Sequence, residues 1–198
     1  MTTPSSPADI AALKGARVIV GVTGGIAVYK VCTLTSRLAQ AGAHVTVCMT
    51  PAATKFVAPI TFQALSANPV YTSPWDHIES QDPQHISLAK AADLMIIAPC
   101  TMDCMAKLAH GITDDVVTLI CSAVDRPKTP VLLAPSMNEV MWNQPATQRN
   151  AKQLHADGFT LVGPGDGWQA CRAVGPGRMT EPEDLLDVVA STLAKRRR

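Results

Sequence analysis

Two periodicities alternate along the chain. Short runs rich in β-branched residues occupy positions 17–22, 44–49, 93–98, 129–134 and 159–162. Runs of that length and composition are predicted to be strands buried on both faces, as in a parallel sheet. Between them the apolar residues move to helical spacing. Val28, Val31, Leu34 and Leu38 share one face of a helix predicted over 26–41, and Leu185, Leu186, Val189 and Leu193 share one face of a closing helix over 181–195. Further helices are expected up to His110, from Asp114 or Asp115 as N-cap to about Val124, and over 145–157, with Gly42, Gly111 and Gly158 standing at C-cap positions. Thr50-Pro51 is predicted to open another helix with proline in its first turn, and His85 precedes a short helix over 86–91. Strand and helix alternating throughout give an α/β chain: a single doubly wound parallel sheet in a Rossmann- or flavodoxin-like three-layer sandwich.

Three segments fall outside both periods. Residues 1–15 read as a disordered lead, with Pro4, Ser5, Ser6 and Pro7 and no apolar signal core. Residues 70–84, with Trp75 and His77, read as a loop. Residues 163–179 carry five glycines and two prolines together with Trp168, Cys171, Arg178 and Met179. A stretch of that length without regular pattern is a candidate functional loop. The organisation expected is therefore a lead over 1–15 and one domain over 16–195.

Composition narrows the partners. The chain has 198 residues, 17% of them charged, and a formal net charge of +1. That balance lacks the basic footprint of a nucleic-acid binder, and the Lys195-Arg196-Arg197-Arg198 end reads as a solvated tail. No run of about 20 apolar residues exists, so no membrane span is expected. Without an export signal the compartment is expected to be reducing and cytoplasmic, and the six cysteines to be thiols. Cys100 and Cys104 share a helical face, but only His110 is in range as a further ligand, so no metal site is expected.

Open α/β sheets bind ligands beyond the carboxyl ends of their strands. Those ends here read Thr23-Gly24-Gly25, Met49-Thr50, Pro99-Cys100-Thr101 and Pro135-Ser136-Met137-Asn138. Gly24-Gly25 before a helix is either a plain tight turn or a close approach to phosphate at a helix N-terminus. The first loop is not G-x-G-x-x-G, and Met49-Thr50 lacks the carboxylate that would hold a dinucleotide ribose. A mononucleotide remains open. Taken singly, His85 fits a surface histidine, Asn138 a turn cap and Cys171 a buried thiol.

Taken together, several segments resemble the flavin-containing cysteine decarboxylase family, and within it the phosphopantothenoylcysteine decarboxylase branch. They are residues 21–30 (Gly-Val-Thr-Gly-Gly-Ile-Ala-Val-Tyr-Lys), 85–88 (His-Ile-Ser-Leu), 92–99, 135–142 (Pro-Ser-Met-Asn-Glu-Val-Met-Trp) and 169–179 (Gln-Ala-Cys-Arg-Ala-Val-Gly-Pro-Gly-Arg-Met). The likeness runs from about Ala16 to Leu193. It implies FMN at the strand ends, near Gly24, Gly25, Ile26, Thr50, Phe56, Thr101, Met102, Asp103, Cys104 and Ser136. It implies that residues 163–179 clamp the cysteinyl end of 4′-phosphopantothenoylcysteine, with Asn138, Met137, Ala170, Arg178 and Met179 against the substrate. His85 and Cys171 are the catalytic residues it implies, His85 as base or electrostatic partner and Cys171 as the proton donor of the final reduction.

The chemistry implied is substrate oxidation by flavin, which creates an electron sink for CO₂ loss, followed by return of the hydride to give 4′-phosphopantetheine for coenzyme A synthesis. A homotrimer, often assembled into a dodecamer, with active sites between subunits, is also implied. Many members are fused to a ligase domain that makes the cysteine conjugate, so a chain ending at Arg198 is expected to work with a separate ligase.

The chain departs from the family pattern at Arg172, where glycine is usual, at Ala173, at Asp114, where asparagine is usual, and over residues 100–104. The alternatives are an oxidative decarboxylase of a peptide C-terminal cysteine, a flavin prenyltransferase-like enzyme and a non-catalytic flavoprotein regulator. Cys171 argues against the first, the Met-Asn and Ala-Cys motifs argue against the second, and His85, Asn138 and Cys171 together argue against the third.

Overall fold

The computed structural model describes residues 7–75 and 83–197. In chain order the elements are α1 (Pro7–Ala11), β1 (Arg17–Val22), α2 (Val28–Gln40), β2 (His44–Met49), a 3₁₀ turn (Ala53–Lys55), α3 (Pro59–Ser66), β3 (Val70–Tyr71), α4 (Gln84–Ala91), β4 (Leu94–Cys100), α5 (Met102–His110), α6 (Val116–Ala123), β5 (Val131–Pro135), α7 (Glu139–Trp142), α8 (Pro145–Ala156), β6 (Thr160–Leu161), β7 (Gly165–Trp168), β8 (Val174–Arg178) and α9 (Pro182–Arg197). Strands β1 to β6 form one parallel sheet in the order β3-β2-β1-β4-β5-β6. The order reverses between β1 and β4, so the loops leaving these two strands diverge and open a crevice.

Side chains of the central strands divide between two cores with period two. Val18, Val20 and Val22 of β1 and Leu94, Ile96 and Ala98 of β4 meet α2, α9, Leu13 and Phe62 on one face. Ile19, Met95, Ile97 and Cys100 meet α6 and residues from α5 and α8 on the other. Strands this thoroughly apolar need helices on both faces, which is why the sheet is doubly wound. The α5 helix ends at Gly111, whose φ of 69° is a left-handed C-cap conformation that favours glycine. Asp115, not Asp114, caps α6: its Oδ1 accepts from the Thr118 N–H at 2.9 Å.

Four expectations change. The lead is not wholly disordered: Pro7–Ala11 is helical and Leu13 is completely buried, while residues 1–6 lie outside the described residues. Thr50-Pro51 opens a turn and a 3₁₀ segment, and the helix begins at Pro59, because an extended Ala58 places that proline at the start. Val70–Tyr71 pairs with β2 as a short edge strand within the supposed loop; His77 lies outside the described residues. The basic end continues α9 as far as Arg197. Among the described residues no helix is long and apolar enough to cross a membrane.

Candidate active site

A cavity of about 970 Å³ lies beyond the carboxyl ends of β1, β2, β4 and β5. Its scaffold wall comes from the loops that leave those strands. Thr23 is buried and ties the two central loops together. Its hydroxyl donates to the Pro99 carbonyl and accepts from the Thr101 N–H at 3.1 Å. One hydroxyl proton cannot serve two acceptors, so across the 3.2 Å contact between the two threonines it is Thr101 that donates. The other lone pairs of Thr101 cap α5 at the Cys104 N–H. Backbone approach is close at Gly24, where a Cβ would sit 2.4 Å from that of Ala52. Any larger residue there pushes the β1 and β2 loops apart.

The N-terminus of α2 opens onto this cavity through Gly25, Ile26 and Ala27. Its N-cap, Ala27, supplies no side-chain hydrogen bond. The Val28 and Lys30 N–H groups donate to the Gly25 and Ala27 carbonyls at 3.0 Å, so what this helix of 13 residues presents to the cavity is the positive end of its dipole without a side-chain acceptor. That arrangement, with the glycine cradle and the absence of a ribose carboxylate after β2, fits a mononucleotide phosphate. The volume matches the upper end of small-ligand sites.

A two-stranded antiparallel hairpin, β7–β8, forms the remaining wall where an irregular loop was expected. Its mooring is specific. The Met137 N–H donates to the Gly177 carbonyl at 2.9 Å. A Cβ on Gly177 would lie 2.3 Å from the Met137 carbonyl oxygen, so only glycine allows the contact. Gln169, 8% exposed, accepts from the Glu139 N–H at 3.2 Å and donates to the Pro176 carbonyl at 2.8 Å. Sequence reasoning assigned Gln169 no role, because nothing in an aperiodic stretch marks a residue that spans a hairpin.

At the tip of that hairpin, Cys171 meets Asn138. The Asn138 Nδ2 donates to Cys171 Sγ at 3.2 Å, and its Oδ1 accepts from the Val140 N–H at 2.8 Å. The cap at α7 thus fixes which end of the amide faces the cavity: the donor end. Cys171 is exposed. The Ala173 backbone N–H and then the Asn138 amide hold its thiol below the ordinary cysteine value. Cys104 also touches the cavity but is almost wholly buried, and its hydrogen bond with Cys100 and desolvation push it well up. Of the thiols at the cavity, Cys171 is the one whose proton is both reachable and readily released.

Charged groups meet the cavity from both helical layers. Lys107 pairs with Asp103 at 3.3 Å, Asp114 at 3.0 Å and Asp115 at 3.3 Å. Burial works to lower its ammonium, but hydrogen bonds to Asp114, Asp115 and Asp103 outweigh that and hold it well above its ordinary value. Lys30 and Arg178 both pair with Glu181. Desolvation raises the Glu181 carboxyl, and the two cations overcome that to hold it below the usual range.

The cavity gathers Gly24, Gly25, Ile26, Thr50, Thr101, Met102, Asp103, Cys104, Ser136, Met137, Asn138, Ala170, Cys171, Arg178 and Met179. Met179 is 2% exposed and anchors the hairpin's end in the core. Two expected residues are not there. Phe56 follows the 3₁₀ turn with its ring half exposed, and His85, near the start of α4, does not line the cavity of its own chain. Lys30, Lys107 and Asp115 line it without having been assigned to it from the sequence.

A parallel sheet with a phosphate-compatible loop and helix at its switch point, and a thiol-bearing hairpin over it, defines an α/β protein of the mononucleotide-binding class. The chain belongs to the flavoprotein family, whose model matches residues 9–194. It is 45% identical over 186 residues to the coenzyme A biosynthesis bifunctional protein CoaBC of Bacillus subtilis (strain 168), covering 92% of this chain and 44% of the relative. The chain thus spans less than half the length of that relative. Among solved structures it resembles a PPC decarboxylase mutant complexed with pantothenoylaminoethenethiol, with TM-score 0.80 and 29% identity over 89% of this chain and 97% of the other. The FMN-dependent cysteine decarboxylase SpaF gives TM-score 0.78 and 28% identity over 92% and 99%.

Proposed function

We propose that this chain is an FMN-dependent 4′-phosphopantothenoylcysteine decarboxylase that yields 4′-phosphopantetheine in coenzyme A biosynthesis. The observation that carries the reading is the Asn138–Cys171 contact of 3.2 Å on the cavity wall. It places a fixed amide donor and an exposed, acidified thiol at one point. FMN, held by the Gly24-Gly25 loop, the α2 N-terminus, Thr50, Thr101 to Cys104 and Ser136, supplies reversible hydride transfer when bound.

The remaining work belongs to the chain. Asn138 donates to the substrate carboxylate and orients it for loss as CO₂. Met137 and Ala170 close over the cysteinyl end and exclude water, with Met179 anchoring the hairpin in the core and Arg178 directed to the rest of the substrate. Cys171 gives a proton to the substrate carbon that has lost CO₂, the step that accompanies reduction to a saturated thiol. His85 acts as base or electrostatic partner and arrives from a neighbouring subunit, in a homotrimer that can assemble further into a dodecamer. The substrate comes from a ligase activity that joins cysteine to phosphopantothenate, in the cytoplasm.

Mass spectrometry of the reaction of purified, flavin-loaded protein with 4′-phosphopantothenoylcysteine tests this. Loss of CO₂ alone is expected. Loss of CO₂ and two hydrogens would indicate oxidative decarboxylation without return of the hydride, and an unchanged substrate would overturn the reading.

A further inference from the structure

We infer that Lys30 and Arg178 form a subsite for a phosphate monoester, the end of the substrate remote from the reacting cysteine; this rests on the decarboxylase reading. Lys30 lies in the first turn of α2 with its side chain 11% exposed, and its Nζ is 2.8 Å from Glu181 Oε1. Arg178, from β8, reaches the same oxygen with Nη2. Both cations line the cavity. One carboxylate oxygen holds two cations side by side, so the group keeps an excess positive charge. Two parallel donors beside each other suit a phosphate dianion, and the guanidinium adds planar two-point recognition.

The opposite layer of the sandwich sharpens the assignment. There Lys107 is outnumbered by Asp103, Asp114 and Asp115, which leaves that side of the cavity negative. A ligand with one phosphorylated end is therefore ordered with that end toward α2 and α9. Lys30 belongs to the scaffold and Arg178 to the hairpin, and a phosphate bridging them also ties one to the other.

The test is isothermal titration of the FMN-loaded protein with 4′-phosphopantetheine and with pantetheine, which needs no turnover. The wild type is expected to favour the phosphorylated ligand by about tenfold or more, the worth of roughly one charge-assisted hydrogen bond. Lys30→Met should reduce that preference to about twofold or less, and Lys30→Arg should keep most of it. Parallel titration of the flavin-free variants with FMN and riboflavin reads the other source of a phosphate. Loss of the FMN preference alone would assign the two cations to the cofactor's phosphate and overturn their assignment to the substrate. Equal weakening of all four ligands, or no change in any of them, would overturn the subsite. Failure of the wild type to decarboxylate, with the preference for 4′-phosphopantetheine intact, would sink the decarboxylase reading and leave the subsite standing.

Discussion

At the scale of single residues, Cys171 sets the chemistry apart from that of an ordinary thiol. Its pKa is lowered by the Ala173 N–H and the Asn138 amide, so it loses its proton at a lower pH than a free cysteine, for which the value is roughly 8.5. The proposed reduction needs the protonated form. The share of saturated product should therefore fall as pH rises through that lowered value, while CO₂ release does not follow the same limb. Chromatography of products against pH reads this directly, and a product ratio flat to well above pH 9 would remove the proton-donor role. The neighbouring Arg172 has φ of 67°, a left-handed conformation that costs a side-chain-bearing residue about 1–2 kcal/mol. This strain gives a physical reason for glycine in the related motif. Arg172→Gly should stabilise the protein by about 0.5–1 kcal/mol after the extra unfolded-state entropy of glycine is subtracted, measured by urea unfolding.

At the scale of elements, the hairpin β7–β8 was the part least visible in the sequence. Its strands read Gly-Asp-Gly-Trp and Val-Gly-Pro-Gly-Arg, with no alternation of apolar and polar positions to reveal a period. Its order comes from distant partners, the Glu139 N–H and the Met137 backbone, which only the folded chain brings near. By contrast β1, β2, β4 and β5 were legible because burial on both faces leaves an unbroken apolar run. Gly177→Ala should detach the hairpin, since its new methyl would meet the Met137 carbonyl oxygen. Turnover is then expected to drop about a hundredfold, with flavin retained, because a displacement of about 1 Å at a reacting group costs that much. Limited proteolysis should cut the variant within residues 165–178; an uncut, active variant would mean that the mooring at Gly177 is dispensable.

At the scale of the whole molecule, the strand-end loops that line the cavity carry residues named from the sequence, with His85 and Phe56 lying elsewhere. Neither His85 nor Phe56 lines the cavity of its own chain, and the proposed homotrimer would bring them to it from a neighbouring subunit, a placement that periodicity and motif cannot reveal. With His85 supplied in trans, His85→Asn and Asn138→Asp protein should each be inactive alone. Co-refolded in equal amounts, they should regain about a quarter of wild-type activity, the share of sites assembled from two intact halves. Complementation assays at matched flavin content measure this, and a mixture as inactive as its components would place His85 and Asn138 in one chain's site.

The position of Trp168 has a use of its own. This indole sits on β7 at the cavity, 61% exposed, on the one wall that is not part of the scaffold. With Trp75 and Trp142 replaced by phenylalanine, the protein's tryptophan emission would come from the hairpin alone. A flavin beneath it would quench that light by energy transfer, so the opening and closing of the site could be timed in a stopped-flow fluorimeter without attaching a dye.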